Sequence, residues 1–222
     1  MTTKTTKTSK ATKTEAGLAA PTVPRARALR AWLVWTAGFL ACPIAGVVGI
    51  AVAGRVDGPL AALLGGLVTG AVLGLGQALA SSGRLPKVRW AVATSLGMGA
   101  GLLLGAHTVG YGTTMGELAI MAALTGAVLG SAQAFALPKH ARARWVWALA
   151  MPALWPTGWA ISTLVLGDSV DKQFTLFGSS GAITVTALLG ILLHLLLAQP
   201  DTTARSSATT AATQATPNGD PS

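Results

Sequence analysis

Hydrophobic residues along this chain gather into six long blocks separated by short polar interruptions, at about residues 31–54, 59–81, 88–110, 117–137, 144–166 and 177–198. Each block is close to the ~20 residues that a helix rising 1.5 Å per residue needs to traverse ~30 Å of hydrocarbon. Within the blocks, polar and apolar residues do not alternate over ~10-residue segments, as the strands of a membrane barrel would require. The pattern therefore predicts an all-α membrane protein with six transmembrane helices. The flanks lack the apolar content to build a core. Residues 1–29, rich in Thr, Lys and Ala, and residues 199–222, rich in Thr, Ala and Pro, are expected to be disordered tails around a transmembrane domain at 30–198.

The blocks are not independent of one another. "TGAVLGLGQALA" at 69–80 returns 56 positions later as "TGAVLGSAQAFA" at 125–136, and each copy leads through a Pro-containing basic turn to an Arg-Trp pair. A fainter third copy joins Arg30 and Trp32 at the chain's first block to "GAITVTALLG" in its last, where the glutamine is lost. The period covers two helices, so the expectation is about three tandem helical hairpins. Two crossings per unit keep successive copies in one orientation, which makes this a parallel repeat with its axis along the membrane normal.

The repeated small residues sit four apart. Gly66, Gly70 and Gly74 in the second block, Ala122, Gly126 and Gly130 in the fourth, and Gly97, Gly101 and Gly105 in the third form flat ridges for close helix pairing. The first block offers Gly38, Cys42 and Gly46. Gln77 and Gln133 fall on the ridge face, where an unpaired amide would cost several kcal/mol. They are read either as polar latches between helices or as lining of a small cavity. Arg30, Trp32, Arg89, Trp90, Arg144 and Trp145 are expected to anchor helix ends at the interface. The competing reading is a ring of Arg30, Arg89 and Arg144 that captures a phosphate or carboxylate. Pro152 and Pro156 should kink the fifth block and free backbone carbonyls there.

Composition agrees with the pattern: 51% of the 222 residues are hydrophobic and 10% charged, against about a quarter charged in ordinary soluble domains. Mean hydropathy is +0.58. The net charge of +9 is distributed by loop. Fourteen basic residues, among them Lys4, Lys7, Lys10, Lys13, Arg25, Arg27, Arg84, Lys87, Lys139, Arg142 and Arg205, fall in the termini and in the turns after the second and fourth blocks. Only Arg55 and Lys172 fall in the opposite connectors, beside Asp57, Glu117, Asp168 and Asp171. The positive-inside bias then places both termini in the cytoplasm. Short basic collars of this kind are not the continuous face that nucleic acid requires, so no nucleic-acid partner is expected.

Candidates for chemistry are few. The single cysteine, Cys42, excludes an intrachain disulfide. It follows "FLA" in an imitation of a lipoprotein signal, but the apolar run continues past it as an uncleaved span would. "GSSG" at 178–181 imitates the serine motif of rhomboid-type intramembrane proteases, yet His194 lies fourteen residues beyond Ser180 on the same block and His107 is in another. Intramembrane carboxylates of the kind that relay protons are missing. No catalytic residue, metal site or cofactor is assigned.

The run from Gly70 through "GQALASSGRLPKVRWAVATSLG", repeated from Gly126 onward, resembles a group of uncharacterised bacterial multi-span proteins. Those proteins share glycine-rich helices, a glutamine near the cytoplasmic end and a basic turn before an Arg/Trp-initiated helix. The resemblance covers about residues 30–198 and implies a bacterial cell-membrane protein; it names no activity. The functional expectation is a structural or accessory membrane protein surrounded by lipid, with a membrane-protein partner or a second copy of itself. The alternative is a transporter of small solutes or lipids.

Overall fold

The computed structural model describes residues 25–141, 143–167 and 176–197. The lysine-bearing arm, Arg142, the connector with Asp168, Asp171 and Lys172, and the C-terminal tail with Arg205 lie outside the described residues, and with them the expectations made for both tails. The described chain is all-helical, with no strand among those residues. Its elements are α1 (Arg25–Ala37), a 3-10 turn (Gly38–Leu40), α2 (Ala41–Ala53), α3 (Pro59–Ala80), α4 (Lys87–Thr108), α5 (Met115–Ala136), α6 (Arg144–Leu166) and α7 (Ser179–Leu197). α1, the turn and α2 form one continuous first span. The result is six helices long and apolar enough to cross a membrane.

The helix ends follow local chemistry. α3 opens with Pro59 in its first turn, where the missing N–H is no loss. α5 opens with a capping box: Thr114 accepts from Glu117 N–H while the Glu117 carboxylate accepts from Thr114 N–H at 2.8 Å. α1 starts at Arg25 rather than near 30, so "RARAL", expected in the tail, belongs to the first helix. Arg, Ala and Leu are strong helix formers, and the sequence places Pro24 just ahead of them.

α6 runs through Pro152 and Pro156 as a single helix of 23 residues. The first span, in contrast, is interrupted at Gly38–Leu40, where Ala41 N–H reaches back three residues to Gly38 O. Pro43 explains it. Its ring conflicts with the carbonyl of the residue four back, Phe39, and it has no N–H to offer that carbonyl. The chain tightens by one 3-10 turn to relieve both problems.

The spans form a closed ring. Each packs its backbone against its sequence neighbours, and α7 packs against α1 and α2; among the described residues no other helix backbones come close, although side chains of α3 and α5, and of α4 and α6, meet in the interior. Glycines set these contacts. A Cβ added at Gly66 would come within 2.7 Å of Gly99 Cα on α4, and one at Gly74 within 2.8 Å of Ala91 Cα. Gly97, Gly101 and Gly105 of α4 lie in the same way against Leu129, Thr125 and Met121 of α5, and Gly126 and Gly130 of α5 against Met151 of α6. Of the first-span trio, Gly38 meets Ala80 and Cys42 is buried, whereas a Cβ at Gly46 would meet nothing within 4 Å. Leu73, Met98, Leu102, Leu129, Met151 and Leu189 fill the interior. The outer surface is equally apolar, with Leu60, Val88, Phe135 and Leu164 at 67–82% exposure. Such a surface is suited to lipid rather than to water.

Candidate functional site

The polar residues of the interior gather at one level, near the turns α3–α4 and α5–α6. Gln77 sits three residues before the end of α3 and Trp90 three residues after the start of α4, so the hairpin brings them to the same depth. Gln133 and Trp147 have the same relation across the next turn. In each hairpin the indole N–H donates to the amide oxygen: Trp90 Nε1 to Gln77 Oε1 at 3.0 Å, and Trp147 Nε1 to Gln133 Oε1 at 3.0 Å. An indole nitrogen can only donate, which settles which face of each amide it meets.

The two pairs are then joined. Gln133 Nε2 donates to Gln77 Oε1 at 3.3 Å and to Thr94 Oγ1 at 3.0 Å, while the Thr94 hydroxyl donates to Trp90 O at 2.8 Å. Trp90 and Trp147 meet edge to face with centroids 5.6 Å apart, a geometry worth ~0.5–1.5 kcal/mol beyond burial. Gln77 is 6% exposed, Gln133 1%, and Thr94, Trp90 and Trp147 0%. The network therefore lies in a dry core. Gln77 Nε2 is the one amide group in it without a partner among the described residues.

These positions revise the interface assignments. Trp90 is enclosed by protein and serves as the partner of Gln77 rather than turning outward as an anchor would. Trp147, which the repeated strings do not single out, is the structural counterpart of Trp90. Trp145 is 64% exposed and turns away from the bundle. The second turn, 137–143, is one residue longer than the first, 81–86, so the two Arg-Trp strings align Trp90 with Trp145 rather than with Trp147, its counterpart in the hydrogen-bond network. Trp32 is half-buried and donates to Ala187 O at 3.0 Å; beside it Trp35 donates to Thr186 O at 2.9 Å. Gly190 makes that seam possible, since a Cβ there would come 2.6 Å from Trp35 Cδ1. Three buried indoles at positions 35, 90 and 147 thus each donate to the span that precedes theirs around the ring.

The arginines act on helix ends. Arg89 Nη2 donates to Phe135 O at the end of α5, and Arg144 Nη2 to Pro138 O at 3.0 Å. Arg84 Nε donates to Ser81 O at 3.0 Å, and its partial burial holds its pKa below the ordinary arginine value. Arg30 is exposed on α1. Exposed carbonyls at a helix C-terminus carry partial negative charge, and the Arg84 and Arg89 contacts answer two of them, whereas Pro138 O lies in the turn beyond α5.

Near the opposite end of the bundle, Trp155 and Trp159 of α6 clasp Phe177 edge to face, with centroids at 5.0 and 6.4 Å, and Ser162 Oγ donates to Gly178 O at 3.3 Å. "GSSG" thus packs α7 onto α6. Ser180 and His107 are not brought together, because α4 and α7 do not pack against each other. His107 meets Tyr111 edge to face, with centroids 6.4 Å apart. The described cavities are shallow apolar hollows on the outer surface, such as the one of about 230 Å³ between Leu75 and Val92, and none is lined by Gln77 or Gln133.

Comparison with models of known protein families, with curated proteins and with solved structures finds no match to the chain.

Proposed function

We propose that this chain is a multi-pass membrane protein with a structural or accessory role, both termini in the cytoplasm, surrounded by lipid and acting through contact with other membrane components rather than through chemistry or transport of its own. One observation carries this reading: the polar groups best placed to line a solute path, Gln77, Gln133 and Thr94, are bonded to one another and to two buried indoles in a packed core. A solute would have to break that network to pass. The reading is tested by placing single cysteines at 77, 94 and 133 in a Cys42→Ser background and exposing the protein in liposomes to a water-soluble thiol reagent. Labelling as slow as for a cysteine at fully buried Leu129 is the expected result; labelling at the rate of a loop cysteine would overturn it. Reporter fusions at each end test the topology. A reporter found outside the cell would refute it.

Transport of a small solute is the second reading, favoured by the unpartnered Nε2 of Gln77. Flux into proteoliposomes that disappears in Gln77→Leu would establish it.

A further inference from the structure

Gln77 and Gln133 stand 56 residues apart on α3 and α5, and the same step leads on to Leu189 of α7, which is 1% exposed. Depth agrees with the spacing. Trp90 lies beside Gln77 and Trp147 beside Gln133. Trp35 lies beside the part of α7 that holds Leu189, since it donates to Thr186 O and a Cβ at Gly190 would come 2.6 Å from its Cδ1. α7 and α1 therefore stand to each other as α3 stands to α4 and α5 to α6, with two differences. No turn of chain joins them. Leucine also offers no acceptor, so the Trp35 indole takes a backbone carbonyl about one helical turn away.

The amide network ends at the same place. Gln133 Nε2 donates to the amide oxygen one step before it in the series, that of Gln77. The next step around the ring takes Gln77 Nε2 toward position 189, and that donor is without a partner although Gln77 is only 6% exposed. The α1–α7 seam is also incompletely filled at the end that carries the α3–α4 and α5–α6 turns. An apolar hollow of about 330 Å³ lies there between Ala28, Leu29 and Trp32 of α1 and Ile191 and His194 of α7. The other end of α7 is held fast. A Cβ at Gly181 would overlap Gly158 O of α6, Phe177 sits between Trp155 and Trp159, and Ser162 donates to Gly178 O.

We propose that α7 is a hinged helix: its first turns stay clasped to α6, and its last turns swing away from α1 into the lipid because Leu189 occupies the place of a latch. The closed ring is the stable form, and the seam that lacks both a connecting turn and a bond between side chains is the one that opens at least cost. Opening uncovers Trp35 and the Gln77 amide to the bilayer between α1 and α7. The hinge rests on packing alone and holds whether the protein is accessory or carries a solute.

The test uses the full-length protein in phosphatidylcholine nanodiscs, footprinted with a photoactivated, lipid-soluble carbene reagent, with modified residues read by mass spectrometry. Trp35 and Leu189 are compared with Trp147 and Leu129, which are similarly buried. In wild type the first two should be modified more, by at least about threefold, the ratio that one missing interhelical hydrogen bond corresponds to. Trp155, in the clasp, should stay at the level of Trp147. Leu189→Gln, which offers an acceptor to Gln77 Nε2 and Trp35 Nε1, should fold and bring Trp35 down to that level. Trp35→Phe removes the bond that remains and should raise the modification of Leu189. Equal modification of the two sets in wild type would overturn the hinge, as would a Leu189→Gln protein that fails to fold or leaves Trp35 as reactive as before. A Trp35→Phe protein with Leu189 at the wild-type level would count equally against it. Modification of Trp155 as strong as that of Trp35 would also overturn it, since α7 would then leave as a whole.

Discussion

Replacing Gln133 with leucine keeps the volume of the side chain and removes three hydrogen bonds at once. Two are donated by its Nε2, to Gln77 Oε1 and Thr94 Oγ1, and one is accepted by its Oε1 from Trp147. Hydrogen bonds between helices in lipid average ~0.6 kcal/mol, so the bonds alone amount to about 2 kcal/mol. The group left behind adds to this loss. The Trp147 side chain is 0% exposed, and an indole N–H left without an acceptor in a dry core costs about 1–3 kcal/mol. Gln133→Leu should therefore destabilise the bundle by about 3–5 kcal/mol. Trp147→Phe removes the donor as well as the bond, so in the double variant the orphaned N–H no longer exists. The two changes should then be less harmful together than their sum by about 1 kcal/mol or more. The assay is SDS-induced unfolding in mixed micelles, followed by far-ultraviolet circular dichroism so that losing a tryptophan does not alter the signal. A loss below about 0.5 kcal/mol for Gln133→Leu, or strict additivity in the cycle, would refute the claim that this amide is enclosed and fully used.

The packing leads to three more expected outcomes. Gly101→Val places its Cβ within about 2.9 Å of the Thr125 carbonyl and should cost at least the ~1–3 kcal/mol typical of overpacking, while Gly46→Val, with open space around it, should be close to neutral; the same unfolding titration compares them. Gly190→Ala should loosen the contact between α1 and α7 by displacing Trp35, seen as faster crosslinking of the exposed neighbours of that seam by a lipid-soluble reagent, and unchanged crosslinking would show that the seam tolerates a methyl group. Pro43→Ala restores an N–H opposite Phe39 O, and slowed amide exchange across 38–43 would show that the 3-10 turn is proline's doing.

The lengths and positions of the helices were readable because the bilayer imposes one dominant requirement, an apolar run of fixed length. α6 begins and ends at the expected residues, 144 and 166, and α3, α4, α5 and α7 differ by at most two at either end. The first span was less readable. Pro43 lies inside an uninterrupted apolar run, where hydropathy gives no sign that the helix will tighten. The glutamines showed that partners were needed without showing which. Trp90 and Trp147 were available from counting outward from each turn, since residues equidistant from a hairpin's centre share a depth, but string matching favoured the Arg-Trp adjacency and pointed to Trp145. Closure of the ring left almost no trace, because the acceptors on α7 are the backbone carbonyls of Thr186 and Ala187, which any residue carries. Gly190 alone bears the mark of that contact, as a small residue where two indoles lie.

Because α7 returns to α1, the bundle has a first and a last helix in the chain but none in space. Arg25 and Leu197 belong to neighbouring antiparallel rods, so they face the same side of the structure. A covalent link between them, with the backbone opened instead at Gly54–Gly58, would leave every helix with the two neighbours it has now. What chain order decides here is the timing of synthesis: α3 to α6 can settle their glycine seams and the amide network while α1 waits for a partner that emerges last.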